Sequence, residues 1–103
     1  MKFYKYLYIG ESIKNPAKVK RRLRYRAGQF SVYVITLAPD PDQLEIYHCA
    51  YLKQSYYRTH PVFIVGIASS YEESLSLILQ IVQEALQETG SADLKKYLKW
   101  RIE

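Results

Sequence analysis

Seven basic residues, Lys14, Lys18, Lys20, Arg21, Arg22, Arg24 and Arg26, stand between positions 14 and 26 with no acid among them. Lys and Arg on one element neutralise backbone phosphates whatever the base sequence, so the run suits a nucleic acid. The formal net charge of the whole chain is only +5, so the remainder is slightly acidic and the positive potential is concentrated on this stretch. Lys18, Lys20, Arg21, Arg22, Arg24 and Arg26 are the candidate nucleic-acid contacts. The plainer reading is a solvated helix that pairs with Glu72, Glu73, Glu84 or Glu88 of this chain or of a neighbour.

Tyrosine supplies the second candidate chemistry, with 11 Tyr against 3 Phe and 1 Trp. In a strand Tyr4, Tyr6 and Tyr8 share a face, and with Tyr33 or Tyr47 beside them they would make a platform for stacking unpaired bases. The commoner arrangement has such tyrosines covering the less buried face of a sheet with their hydroxyls in water, and that is the expectation here. A third candidate is the segment holding Tyr51, Lys53, Tyr56, Tyr57, Arg58 and His60. Tyr and Arg most often dominate interface energies, which makes Tyr51, Tyr56, Tyr57 and Arg58 a candidate partner surface; the same tyrosines could instead fold back as a lid on the core.

The remaining reactive side chains form no convincing set. His48 and Cys49 are neighbours on a strand and point to opposite faces, which prevents a thiolate–imidazolium pair. Asp40 and Asp42 share a proline-containing turn where Asp bonds to local backbone, and two carboxylates make a poor metal site. Neither a metal nor a cofactor is expected. Glu72 and Glu73 occupy the positive end of a helix that would otherwise suit an anion.

The elements that must position these residues follow from pattern. A chain of 103 residues, 49% hydrophobic and 24% charged, is read as a single α+β domain spanning 1–103 and able to bury a core without metal or disulfide. Phe3 to Ile9 alternates as a strand, with Phe3, Leu7 and Ile9 on one face. Asn15 can cap a helix from Pro16 to Ala27 that Gly28 can close, docking by the stripe Val19, Leu23 and Ala27. Phe30–Leu37 and Leu44–Cys49 are the next strands, joined by the turn APDPDQ. Ala50–Pro61 reads as an irregular crossing or one short helix. Val62–Ala68 is a continuous apolar run that suits a central strand buried on both faces, with Gly66 marking a close backbone approach.

Ser70 and Glu73 make a capping box for a long helix ending at Gly90. Its apolar stripe is read as Tyr71, Leu75, Ile78, Val82, Ala85 and Leu86, widened by Leu77, Leu79 and Ile81; the excess width puts the helix either under other elements or at an oligomer contact, and a homodimer is expected. Ser91 can cap a last helix from Ala92, with Leu94, Tyr97, Leu98 and Ile102 at helical spacing. The expected order is β-α-β-β-β-α-α, a mainly antiparallel sheet with helices packed on one face. The lone Cys49 fits a reducing compartment, and no segment approaches the roughly 20 apolar residues of a membrane span, so the chain is expected in the cytoplasm.

YLYIGES followed by KVKRRLRYRAG is similar to the second half of the GIY-YIG nuclease motif, in which a YIG strand precedes a helix carrying a catalytic arginine, here Arg22. The sequence departs from that pattern, because no GIY strand precedes Tyr8 and the late acids Glu84 and Glu88 carry no supporting signature. Taken together, YLYIGESI, AGQFSVYVITL, DQLEIYHCAYLKQSYYR and VGIASSYEESLSLI resemble the small uncharacterised proteins carried on conjugative and other mobile elements of Gram-positive bacteria. That resemblance implies a bacterial cytoplasmic accessory protein and carries over no functional residue. The leading expectation is a non-enzymatic macromolecule-binding module acting through protein–protein contacts. A nucleic-acid binder using Lys18 to Arg26 ranks second and a nuclease-like enzyme third.

Overall fold

The alternation at the amino terminus becomes β1 (Lys2–Ile9), whose Tyr4 and Tyr8 are buried on one side while Phe3 and Leu7 pack on the other. The computed structural model describes residues 2–25, 31–38, 43–53 and 62–102. After β1 come α1 (Pro16–Tyr25), β2 (Tyr33–Leu37), β3 (Leu44–His48), a 3-10 helix (Cys49–Lys53), β4 (Phe63–Ala68), α2 (Tyr71–Thr89) and α3 (Leu94–Ile102). This is the α+β order expected. The proposed helix closure by Ala27 and Gly28, the start of the second strand at Phe30, and the turn holding Asp40 and Asp42 lie outside the described residues.

The strands form one sheet in the order β1-β4-β2-β3. β2 runs antiparallel to both β3 and β4, whereas β1 pairs with β4 in parallel, so the sheet is mixed. β4 is central and almost wholly buried, as its unbroken apolar sequence requires. Its register with β2 slips between Ile35↔Gly66 and Thr36↔Ile64, which leaves Val65 as the extra residue of a β-bulge. The bulge resets the alternation: Ile64 and Ile67 join one core, Val65 and Ala68 the other. At Gly66 a side chain would meet Ile35 Cδ1 at 3.0 Å and the Tyr8 carbonyl oxygen at 3.4 Å. This is the close backbone approach that its position suggested.

The helices do not share a face, contrary to expectation. α2 and α3 cover the side carrying Tyr4, Tyr8, Ile35 and Val65, while α1 contributes Leu23 to a second core with Val34, Leu52, Ile64 and Ile67 on the opposite side. The cause is β1 and β4, which are apolar on both faces and leave neither side of the sheet fit for water.

Local capping fixes where the helices begin. Asn15 Oδ1 accepts the Lys18 N–H at 3.1 Å, and Ser70 Oγ accepts the Glu73 N–H at 3.1 Å. Gly90, at φ 73°, closes α2 in the left-handed conformation, its N–H donating to the Leu86 carbonyl. α3 starts two residues later than Ser91 predicts. Asp93 Oδ1 accepts the Lys96 N–H, and Gln43 Oε1 reaches from the start of β3 to accept the Leu94 and Lys95 N–H groups at 3.0 and 3.3 Å.

Candidate binding surfaces

The basic helix docks by Leu23, which is buried, and by half-buried Val19. Lys18, Arg21 and Arg24 are exposed, whereas Lys20 and Arg22 are half-buried. Lys20 Nζ lies 5.5 Å and the Arg24 guanidinium carbon 5.2 Å from the Phe3 ring centroid, cation–π contacts that hold two of the charges against β1. Arg26 lies outside the described residues, as do Tyr56, Tyr57, Arg58 and His60. Of the predicted Tyr/Arg partner surface, Tyr51 is described: it is 52% exposed, with its ring 6.3 Å from that of Tyr47.

The tyrosine face of β1 is no stacking platform, and it meets water only at Tyr6, which is 42% exposed. Tyr4 and Tyr8 lie under α2 and α3, and their hydroxyls are spoken for inside the fold. Tyr4 donates to the Leu98 carbonyl at 2.6 Å. Tyr8 donates to Glu84 Oε1 at 2.8 Å and accepts from Arg101 Nη1 at 2.7 Å. Tyr97 donates to the same carboxylate oxygen at 3.3 Å, and Gln80 donates to the other at 3.0 Å. Burial pushes the Tyr8 phenol far above its ordinary value, and the bond to Glu84 pushes it further. Burial likewise raises Tyr4 and Tyr97, with the Glu84 charge adding to the rise at Tyr97. These groups form a brace joining β1, α2 and α3. The constellation was invisible in sequence because Tyr8 and Arg101 are 93 positions apart.

Tyr8, in the YIG strand of the nuclease-like motif, and Arg22, its arginine, belong to opposite faces of the sheet: Tyr8 is in the α2/α3 core and Arg22 is on α1. His48 Nδ1 accepts the Ala50 N–H at 3.1 Å, so in the neutral ring the proton is on Nε2, 3.3 Å from Ser31 Oγ. Cys49 packs half-buried beside the α1 core. Among the described residues, no three His, Cys, Asp or Glu side chains gather where they could hold a metal ion, and no helix is long and apolar enough to cross a membrane.

A cleft of about 450 Å³ opens between the end of β1 and the first half of α2, with Glu11, Glu72, Glu73 and Gln80 on its walls. Glu73 is already engaged there. Its Oε1 accepts the Ser69 N–H at 2.8 Å and its Oε2 accepts the Ser12 N–H at 3.1 Å, and the Ser69 bond above all holds its carboxyl below the usual range.

The outer side of α2 corrects the predicted stripe. Ser74, Leu77, Ile81 and Ala85 face the core, with Ile78 and Val82 at its margin. Tyr71, Leu75, Leu79 and Leu86, three of them expected in the core, are 48%, 46%, 58% and 48% exposed. The helix is apolar over so much of its circumference that hydrophobicity alone did not fix its rotation, and Ser74 hides at the core by donating back to the Ser70 carbonyl at 3.0 Å. At about 100° per residue, Leu75, Leu79, Val82 and Leu86 fall within about 60° of one another and on the opposite side of the helix from Glu84. At the start of this outer side, the Tyr71 ring lies 6.2 Å from that of Tyr33 on β2.

Compared with known proteins, the chain matches no family model, no curated protein and no solved structure.

Proposed function

We propose that this chain is a non-enzymatic macromolecule-binding module that acts through protein–protein contacts. The observation that carries the reading is the exposed leucine stripe of α2, beside Tyr71, on a helix otherwise well capped and well packed. A soluble domain seldom leaves several large apolar side chains contiguous in water without a partner for them. The brace of Tyr8, Glu84, Tyr97 and Arg101 supports the non-enzymatic part, because its polar atoms are directed at one another. The reading includes the bacterial cytoplasmic setting implied by the mobile-element resemblance, which suits a chain with a single cysteine.

The experiment is site-specific photocrosslinking in cells, with a benzophenone side chain at position 79 on α2 or at position 21 on α1. Protein adducts at 79 are the expected result. Nucleic-acid adducts at 21 with none of any kind at 79 would overturn the reading in favour of its rival. That rival, a nucleic-acid binder, is favoured by the shared exposure of Lys18, Arg21 and Arg24 on the face of the sheet away from α2.

A further inference from the structure

The residues left open on α2 have a spacing that specifies more than an apolar surface. Open Leu75, Leu79 and Leu86, with half-buried Val82 among them at the margin of the core, are separated by four, three and four positions, the interval of a coiled-coil seam. That interval reads the same from either end. A twofold axis passing between Leu79 and Val82 therefore sets the stripe against itself in the antiparallel sense, with Leu75 opposite Leu86 and Leu79 opposite Val82. From these residues we infer that the occupant of the stripe is a second copy of this chain, packed α2 to α2 about that axis. The inference rests on the protein-contact reading above and names the partner of that surface.

The charge around the stripe favours a self-contact. An isologous interface brings each side chain against the same patch on its twin, so a charged rim would repel itself. On the solvent side of the stripe, helical rotation places Glu72, Ser76, Gln83 and Gln87, of which Glu72 alone is charged, and α2 contains no Lys or Arg. The axis sets Glu72 opposite Thr89, at the far end of the partner helix, so the two carboxylates stay apart. The concentrated cations of α1 lie on the other face of the sheet, which keeps the strongest positive field of each +5 chain away from the contact.

The open parts of Tyr71, Leu75, Leu79 and Leu86 offer on the order of 400 Å² of apolar surface per copy, about 800 Å² over the pair before the polar rim is added, so the contact is at the small end of specific interfaces.

Sedimentation equilibrium of the purified chain, together with disulfide trapping, tests the inference. Wild type should sediment at twice the chain mass at micromolar concentration. Leu79→Glu should weaken the dimer by about 100-fold or more while keeping the circular dichroism and melting of a folded protein, since position 79 is outside the core. In a Cys49→Ser background, Leu75→Cys and Leu86→Cys should crosslink under oxidation when mixed, and neither should crosslink alone. A monomer at all concentrations would overturn the inference, and protein adducts at position 79 in cells would then still uphold the protein-contact reading with a different partner. Crosslinking of Leu75→Cys to itself would overturn the antiparallel arrangement.

Discussion

The carboxylate of Glu73 occupies the space that any side chain on Gly10 would need. Gly10 closes β1 and is buried, its N–H donating to the Ile67 carbonyl at 2.9 Å. Glu73 therefore bonds to two loops at once, Ser69 before α2 and Ser12 after β1, across 61 positions. Gly10→Ala should displace that carboxylate and cost about 1–2 kcal/mol. In a Glu73→Ala background the same change should be neutral or mildly stabilising, because only the reduced freedom of the unfolded chain remains. Urea denaturation of the four proteins gives the coupling.

The same pair sets an acid dependence. The folded pKa of Glu73 is lowered from an unfolded value near 4.5, so its contribution is complete above that pH and is lost as pH falls through the folded value. Glu73→Gln should flatten the stability profile between neutral pH and the acid limb. An unchanged profile in that variant would remove Glu73 from the account.

Tyr8 transmits a contact from Arg101 to Glu84 through one hydroxyl. Tyr8→Phe should cost about 1–3 kcal/mol, because both charged partners lose a bond, whereas Tyr6→Phe at a half-exposed position should stay within about 0.5 kcal/mol. At alkaline pH the sign is that of a raised group. The stability due to Tyr4, Tyr8 and Tyr97 is intact below the ordinary phenol value of 10.0 and is lost as pH rises toward their folded values. Absorbance at the phenolate band should therefore show these tyrosines ionising together with unfolding.

Gly66→Ala forces a methyl against Ile35 Cδ1 at the bulge and should destabilise by about 1–3 kcal/mol. Ile35→Val removes that atom. The double variant should recover part of the loss in a thermal melt, and no recovery would mean that the Tyr8 carbonyl is the harder neighbour.

The rival nucleic-acid reading has its own test in Lys18→Glu, Arg21→Glu and Arg24→Glu combined, which spares half-buried Lys20 and Arg22. If α1 tracks phosphates, anisotropy of labelled single-stranded DNA should lose affinity in this variant, and the log–log salt slope should shrink by about two. Equal affinity and slope in both proteins would remove α1 as the contact.

Element order and ends were legible where the information is local. Asn15 before Pro16, Ser70 before Glu73, and Gly90 after the last turn of α2 each act through bonds a few residues long, so their types and spacing suffice. Facing was less legible. The tyrosines of β1 share a side as the period of two requires, yet whether that side meets water depended on Leu98, Glu84 and Arg101, far along the chain. Gln43 as the cap of α3 is equally remote, 51 positions from Leu94. On α2, a serine at the core and leucines outside reversed the rotation that hydrophobicity favours. The candidate contact stripe was thus named largely as core.

The two faces of the sheet differ in how their charge is balanced. Glu72, Glu73, Glu84 and Glu88 of α2 share one face with Lys95, Lys96, Lys99 and Arg101 of α3, four against four, whereas Lys18, Lys20, Arg21, Arg22 and Arg24 of α1 crowd the other without an acid in their helix. Each chain therefore carries its unbalanced cations as a cap on the α1 side of the sheet. In a pair joined through α2 the two caps stand on opposite outer faces, so a polyanion drawn to either one meets it without touching the leucine-bearing side.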